Sequence, residues 1–146
     1  EEVLTDLAPL AENKGIALNC AGDALVIGSD TLLYRLVFNL VENAIRYSRP
    51  GSTVNVSICD NNSRVFLRVE DQGPGIPKQY RESIFQPFFR LDKSRSRAYG
   101  GAGLGLALVW EIAALHGGAV EVEASSENGT TMLASLPKRS AALTEQ

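Results

Sequence analysis

The chain reads as an α+β protein: a two-layer α/β sandwich in which helices cover one face of a mixed, mostly antiparallel sheet. Two long segments, one ending near Tyr47 and one near His116, carry apolar residues at helical spacing. Several short runs alternate apolar and polar residues and are bounded by polar or glycine turns, which marks them as strands. Those strands follow one another in pairs rather than alternating strictly with helices, so hairpins dominate the sheet. At 146 residues, 45% of them hydrophobic and 21% charged, the chain is long enough to close one core and too apolar to be disordered.

In order, a short helix runs to about Asn13, followed by strands in "GIALNC" and "LVIG". Asp30 reads as the N-cap of a long helix through Tyr47, which the "SRPGS" turn ends. At about 100° per residue, Leu33, Leu36, Val37, Leu40, Val41 and Ala44 form its apolar stripe, with Leu32 and Phe38 outside it. "TVNVSIC" and "RVFLRVED" are strands separated by the polar turn Asp60-Asn61-Asn62-Ser63. From Gln72 to Gly105 the sequence is polar, glycine-rich and irregular apart from a short apolar piece around Ile84–Phe88. A loop that long inside a compact domain points to a functional lid, placed at about residues 78–100. A second helix runs from about Gly103 to His116, with Gly117 and Gly118 as its stops. "AVEVEA" and "TTMLASLP" complete the sheet, so the domain is expected to span residues 1–137 and to leave 138–146 as a flexible tail.

Bulk chemistry excludes several classes. A formal charge of −3 offers no basic footprint for nucleic acid. Cys20 and Cys59 lack metal-ligand spacing and are expected to pack in the core. No apolar run approaches the roughly 20 residues of a membrane helix. The opening "EEVLTDLAPLAENKG" has no start methionine and reads as mid-protein sequence, so a longer parent is expected.

Three stretches carry chemistry. On the long helix, Asn39, Asn43 and Arg46 cluster at i, i+4 and i+7, with Tyr47 one turn beyond Asn43. Two interior asparagines on one face fit either a solvated surface or a carboxamide oxygen offered to a hard cation such as Mg²⁺. In "VEDQGPGIP", Asp71 ends a strand before Gly73 and Gly75. That carboxylate is either a surface turn residue or an acceptor for an exocyclic amine. In "RAYGGAGLGLALV", glycines gather directly before a helix, which makes either a hinge or a backbone cradle for an anion.

Taken in order, "NLVENAIRYS", "DQGPG", "IFQPFFR" and "GAGLG" resemble the N box, first glycine box, F box and second glycine box of bacterial sensor histidine kinases. The resemblance, to the ATP-binding catalytic domain within the GHKL (Bergerat-fold) ATPase group, covers residues 1–137. It implies ATP and Mg²⁺ as ligands. Asn43 would ligate Mg²⁺, Asn39 would support it or the phosphates, and Arg46 would contact phosphate. Tyr47 would lie against the adenine, with Ile76 also in the base site. Asp71 would accept the adenine amino hydrogen, while Gly73 and Gly75 let the base come close. Gly101, Gly103, Leu104 and Gly105 would turn backbone N–H groups toward the phosphates. Phe85, Phe88 and Phe89 would anchor the lid, from which Arg90 would reach the γ-phosphate.

The resemblance also implies a reaction. GHKL hydrolases such as gyrase activate water with a glutamate one turn before the Mg²⁺ asparagine. Here that position is Asn39, which takes up no proton near neutral pH. Glu42 points elsewhere on the helix, toward a role in assisting an acceptor histidine. The reading is a kinase module, with a hydrolase or a non-catalytic nucleotide sensor as the alternatives. Ala102 stands where the family often has Thr or Ser, which removes one hydroxyl contact. Ser94–Arg97, "SRSR", fits a phosphate-seeking patch or a solvated loop equally. The sole histidine, His116, reads as a helix-end residue rather than a phosphoacceptor. The resemblance therefore implies a separate dimerisation and phosphoacceptor domain and a response regulator as partners. The domain itself is expected to be monomeric and cytoplasmic, in a parent anchored in the bacterial inner membrane.

Overall fold

The computed structural model describes residues 2–24, 26, 28–87 and 105–138. Among the described residues, three helices, α1 (Glu2–Lys14), α2 (Asp30–Tyr47) and α3 (Gly105–Leu115), accompany five strands. The strands are β1 (Ala17–Ala21), β2 (Thr53–Asp60), β3 (Arg64–Asp71), β4 (Ala119–Ser126) and β5 (Gly129–Pro137). Sheet order is β1-β2-β3-β5-β4. β1 runs parallel to β2, with α2 as the crossover, and the remaining pairs are antiparallel. At the β2–β3 turn, Asn61 Oδ1 accepts from the Ser63 and Arg64 N–H groups, an Asx turn that fixes the register.

Strand alternation sorts the layers. Val65, Leu67, Val69 and Asp71 are buried on one face of β3, opposite Leu136, Ala134, Met132 and Thr130 of β5. The helices cover that face, and Leu36, Leu40, Val41 and Ile45 of α2 are fully buried against it. Leu33 and Val37 of the expected stripe are only partly buried, whereas Ile45, outside it, is central. Phe38 is also accounted for: it stacks on Tyr34 at 5.8 Å, and the Arg35 guanidinium sits 5.1 Å from its ring.

Several expectations need correction. The N-cap of α2 is Ser29, whose backbone is extended and whose Oγ accepts from Leu32 N–H at 3.2 Å. Asp30 is already helical and places its charge at the positive end of the dipole. No strand forms at Val26 or Gly28 of "LVIG". Both cysteines are exposed. Cys59 alternates with the inward Val54 and Val56 and so faces away from the helices, while Cys20 lies on edge strand β1, where only Leu18 is even partly buried. The start of the irregular stretch holds two short 3-10 turns, Lys78–Tyr80 and Ser83–Phe85, with Ile84 and Phe85 buried. Lys138, the first residue of the expected tail, is tied down by its N–H to Ser63 O at 2.9 Å and by an ion pair to Asp60 at 2.7 Å. The lid beyond Pro87 and residues 139–146 lie outside the described residues.

Candidate functional site

β3 ends by delivering Asp71 into the interior, where it is 5% exposed. Its Oδ1 accepts from Gly73 N–H at 3.0 Å and from Thr130 N–H at 3.1 Å. Its Oδ2 makes no hydrogen bond with any described residue. Burial pushes the carboxyl pKa up, the two N–H groups pull it back, and the neighbouring Glu70 charge adds to the rise. A desolvated carboxylate with one oxygen held and the other unused has an acceptor available for a ligand donor.

The turn after Asp71 is glycine-rich because protein backbone crowds it. A Cβ on Gly73 would stand 2.2 Å from the Tyr47 carbonyl oxygen. One on Gly75, at φ +86°, would stand 2.1 Å from Ser126 O. Both glycines thus answer to contacts within the protein. Ile76 N–H donates to Ser125 Oγ at 2.8 Å, and Ser125 Oγ lies 2.8 Å from Thr130 Oγ1. From the first 3-10 turn, Arg81 donates through Nε to Ile76 O and through Nη2 to Ser125 O, both at 3.2 Å.

α2 borders this turn and brings the other residues to it. Asn39 is 8% exposed and its Nδ2 donates to Gly105 O at 3.4 Å, which ties the helix to the start of α3. Asn43, half-buried, makes no hydrogen bond with any described residue. Arg46 pairs with Glu42 at 3.3 Å, one turn back. Lys14 donates to the Ile45 and Arg46 carbonyls, and its pKa is lowered by burial and then by the Arg46 charge. Tyr47 is exposed beside Gly73. Gly105, at the first turn of α3, has open space where a Cβ would be. Phe85 is buried with its ring 5.5 Å from Trp110.

The structure therefore gathers Asn39, Asn43, Arg46, Tyr47, Asp71, Gly73, Gly75, Ile76 and Gly105 along α2, the end of β3 and the start of α3. Phe88, Phe89, Arg90, "SRSR", Gly101, Ala102, Gly103 and Leu104 lie outside the described residues. Sequence reading missed Thr130, Ser125 and Arg81. For the first two a signal existed, because they are small polar residues on the core-facing register of a hairpin, opposite one another and beside Asp71. Among the described residues no cluster of His, Cys, Asp and Glu is placed to hold a metal.

His116 is 3% exposed, and both ring nitrogens are engaged. Nδ1 lies 2.8 Å from Ile112 O, and Nε2 accepts from Ser29 N–H at 3.2 Å. The imidazole joins the end of α3 to the start of α2.

The sequence profile described as "Histidine kinase-, DNA gyrase B-, and HSP90-like ATPase" matches residues 28–140. The sensor-like histidine kinase SenX3 of Mycobacterium tuberculosis is 45% identical over 112 residues, covering 77% of this chain and 27% of that protein. The chain thus spans little more than a quarter of that relative's length. Among solved structures, the mycobacterial sensor histidine kinase MprB agrees with a TM-score of 0.79 at 34% identity, over 95% of this chain and 94% of that one. Full-length ShkA in complex with AMPPNP gives 0.81 at 28% identity, over 93% of this chain and 28% of that one. Sequence and fold agree across the elements that build the site, and the chain belongs to the histidine kinase-, DNA gyrase B- and HSP90-like ATPase family, as an ATP-binding catalytic domain of the sensor histidine kinase kind.

Proposed function

We propose that this domain binds Mg-ATP and presents the γ-phosphoryl group to a histidine on a separate dimerisation and phosphoacceptor domain of its parent. From there the phosphoryl group passes to a response-regulator aspartate. The observation that carries the reading is Asp71, a buried carboxylate with one oxygen fixed by two backbone N–H groups and the other left for a donor. Adenine offers an amine there, whereas guanine would bring a carbonyl oxygen against the carboxylate. Tyr47 and Ile76 flank the base. Asn43 gives its carboxamide oxygen to Mg²⁺, Arg46 reaches the phosphates, and Gly101, Gly103, Leu104 and Gly105 turn N–H groups toward them. Arg90 meets the γ-phosphate. When bound, Mg²⁺ neutralises phosphate charge and holds the group for in-line transfer.

Transfer is favoured over hydrolysis by what stands before Asn43. Asn39 cannot act as a base, and its Nδ2 is committed to Gly105 O. Glu42, held by Arg46, serves the incoming histidine rather than a water. The acceptor is not His116, which is buried with both nitrogens engaged. In the same reading the domain is a monomer on the cytoplasmic side of a membrane-anchored parent. Among the described residues no helix is long and apolar enough to cross a membrane. Calorimetry with ATP and GTP, with and without Mg²⁺, tests the binding claim. Preference for ATP, strengthened by Mg²⁺, is expected, and equal affinity for the two nucleotides would refute the role of Asp71.

A further inference from the structure

Arg81 has no part in the reading above, yet its guanidinium closes a ring of hydrogen bonds around the turn that forms the base site. Ile76 donates its N–H to Ser125 Oγ, Arg81 Nε donates to Ile76 O, and Arg81 Nη2 donates to Ser125 O. The ring leads straight to the carboxylate. Ser125 Oγ contacts Thr130 Oγ1, and Thr130 N–H donates to Asp71 Oδ1. Gly75 is pressed against Ser126 O, so the turn has no slack on its other side. The planar guanidinium spans two carbonyls on different segments, which a single point donor does poorly.

We propose that Arg81 is a positioning residue for base recognition: by clamping Ile76 to Ser125 it holds the Asp71 turn in the shape that meets adenine, without itself touching nucleotide. This rests on the reading of Asp71 as the adenine acceptor. The fork lies between the base-site turn and the second 3-10 turn that buries Ile84 and Phe85. It therefore ties the base site to the described start of the expected lid.

The test is calorimetry with ADP, GDP and inorganic tripolyphosphate on wild type, Arg81→Ala, Ser125→Ala, the double variant and Asp71→Asn. Arg81→Ala and Ser125→Ala should each weaken ADP roughly tenfold, as loss of one hydrogen-bonded anchor implies. Discrimination between ADP and GDP should fall, and tripolyphosphate binding should hold. The double variant should be little worse than the poorer single one, because both remove the same ring. Unchanged ADP affinity in Arg81→Ala overturns the proposal, as does an equal loss for tripolyphosphate, which would mean general loosening. If Arg81→Ala does not fold, Arg81→Lys keeps stem and charge but not the fork and should still lose discrimination. Failure of the underlying reading is separate, since in that case Asp71→Asn itself would keep wild-type ADP affinity.

Discussion

Replacing Asp71 by Asn should weaken nucleotide binding without weakening the fold. The amide oxygen can still accept from Gly73 and Thr130 N–H, which hold Oδ1 at 3.0 and 3.1 Å. The amide nitrogen then replaces Oδ2, the oxygen with no partner among the described residues, and sets a donor against the adenine amine. Losing a charged acceptor costs about 1.5–3 kcal/mol, or roughly 10- to 150-fold in affinity. Stability should move the other way or not at all. Burial raises the folded-state pKa of Asp71 above its ordinary value of 3.8, so the folded state holds the proton more tightly than the unfolded one. The stability from this group is therefore fully present below 3.8 and is lost as pH rises through the raised value, and Asn removes that slope. ATP affinity has the opposite dependence in wild type and falls as acid protonates the acceptor, beginning above pH 3.8. Calorimetric titration and thermal melts from about pH 4 to 8, from the ordinary carboxylate range upward through the raised value, measure both. Wild-type affinity in a folded Asp71→Asn protein would refute the reasoning, as would a large drop in its melting temperature at neutral pH.

Asn43→Ala should abolish most of the Mg²⁺ dependence of ATP binding and leave adenosine binding nearly unchanged; parallel titrations with and without Mg²⁺ check this, and equal losses for both would make Asn43 structural. His116→Ala should cost about 1–3 kcal/mol of stability by removing a buried ring and orphaning the part-buried Ser29 N–H, measured by urea unfolding, with little change in adenosine affinity.

The fold was legible because patterning is local. Alternation in "RVFLRVED" and "TTMLASLP" assigns the core face of the central strands, and both segments form strands as read. The boxes gave the order of the site's parts, and α2 holds Asn39, Asn43, Arg46 and Tyr47 where the spacing put them. What escaped depended on three dimensions. The burial of a cysteine depends on which face of the sheet the helices cover and whether its strand lies at an edge. Asp30 lost the cap to Ser29 because the choice rests on one backbone angle pair, and neighbouring Ser and Asp are equally capable caps. Arg81 reaches Ser125 from a segment far away in sequence, so no spacing links those two, whereas Ser125 and Thr130 pair across a single hairpin, where the register carried a signal. Gly73 and Gly75 carried a visible signal, but the atoms that crowd them belong to Tyr47 and Ser126.

As proposed, this domain donates a phosphoryl group to a histidine it does not itself carry. Incubation with γ-labelled ATP and Mg²⁺, alone and with the parent's phosphoacceptor domain added, tests it most directly. The only histidine of the chain is His116, closed off between Ile112 O and Ser29 N–H. Acid-labile label should therefore appear on the added domain alone, with little free phosphate released in its absence. Label on the isolated 146-residue chain, or brisk phosphate release without an acceptor, would contradict the account.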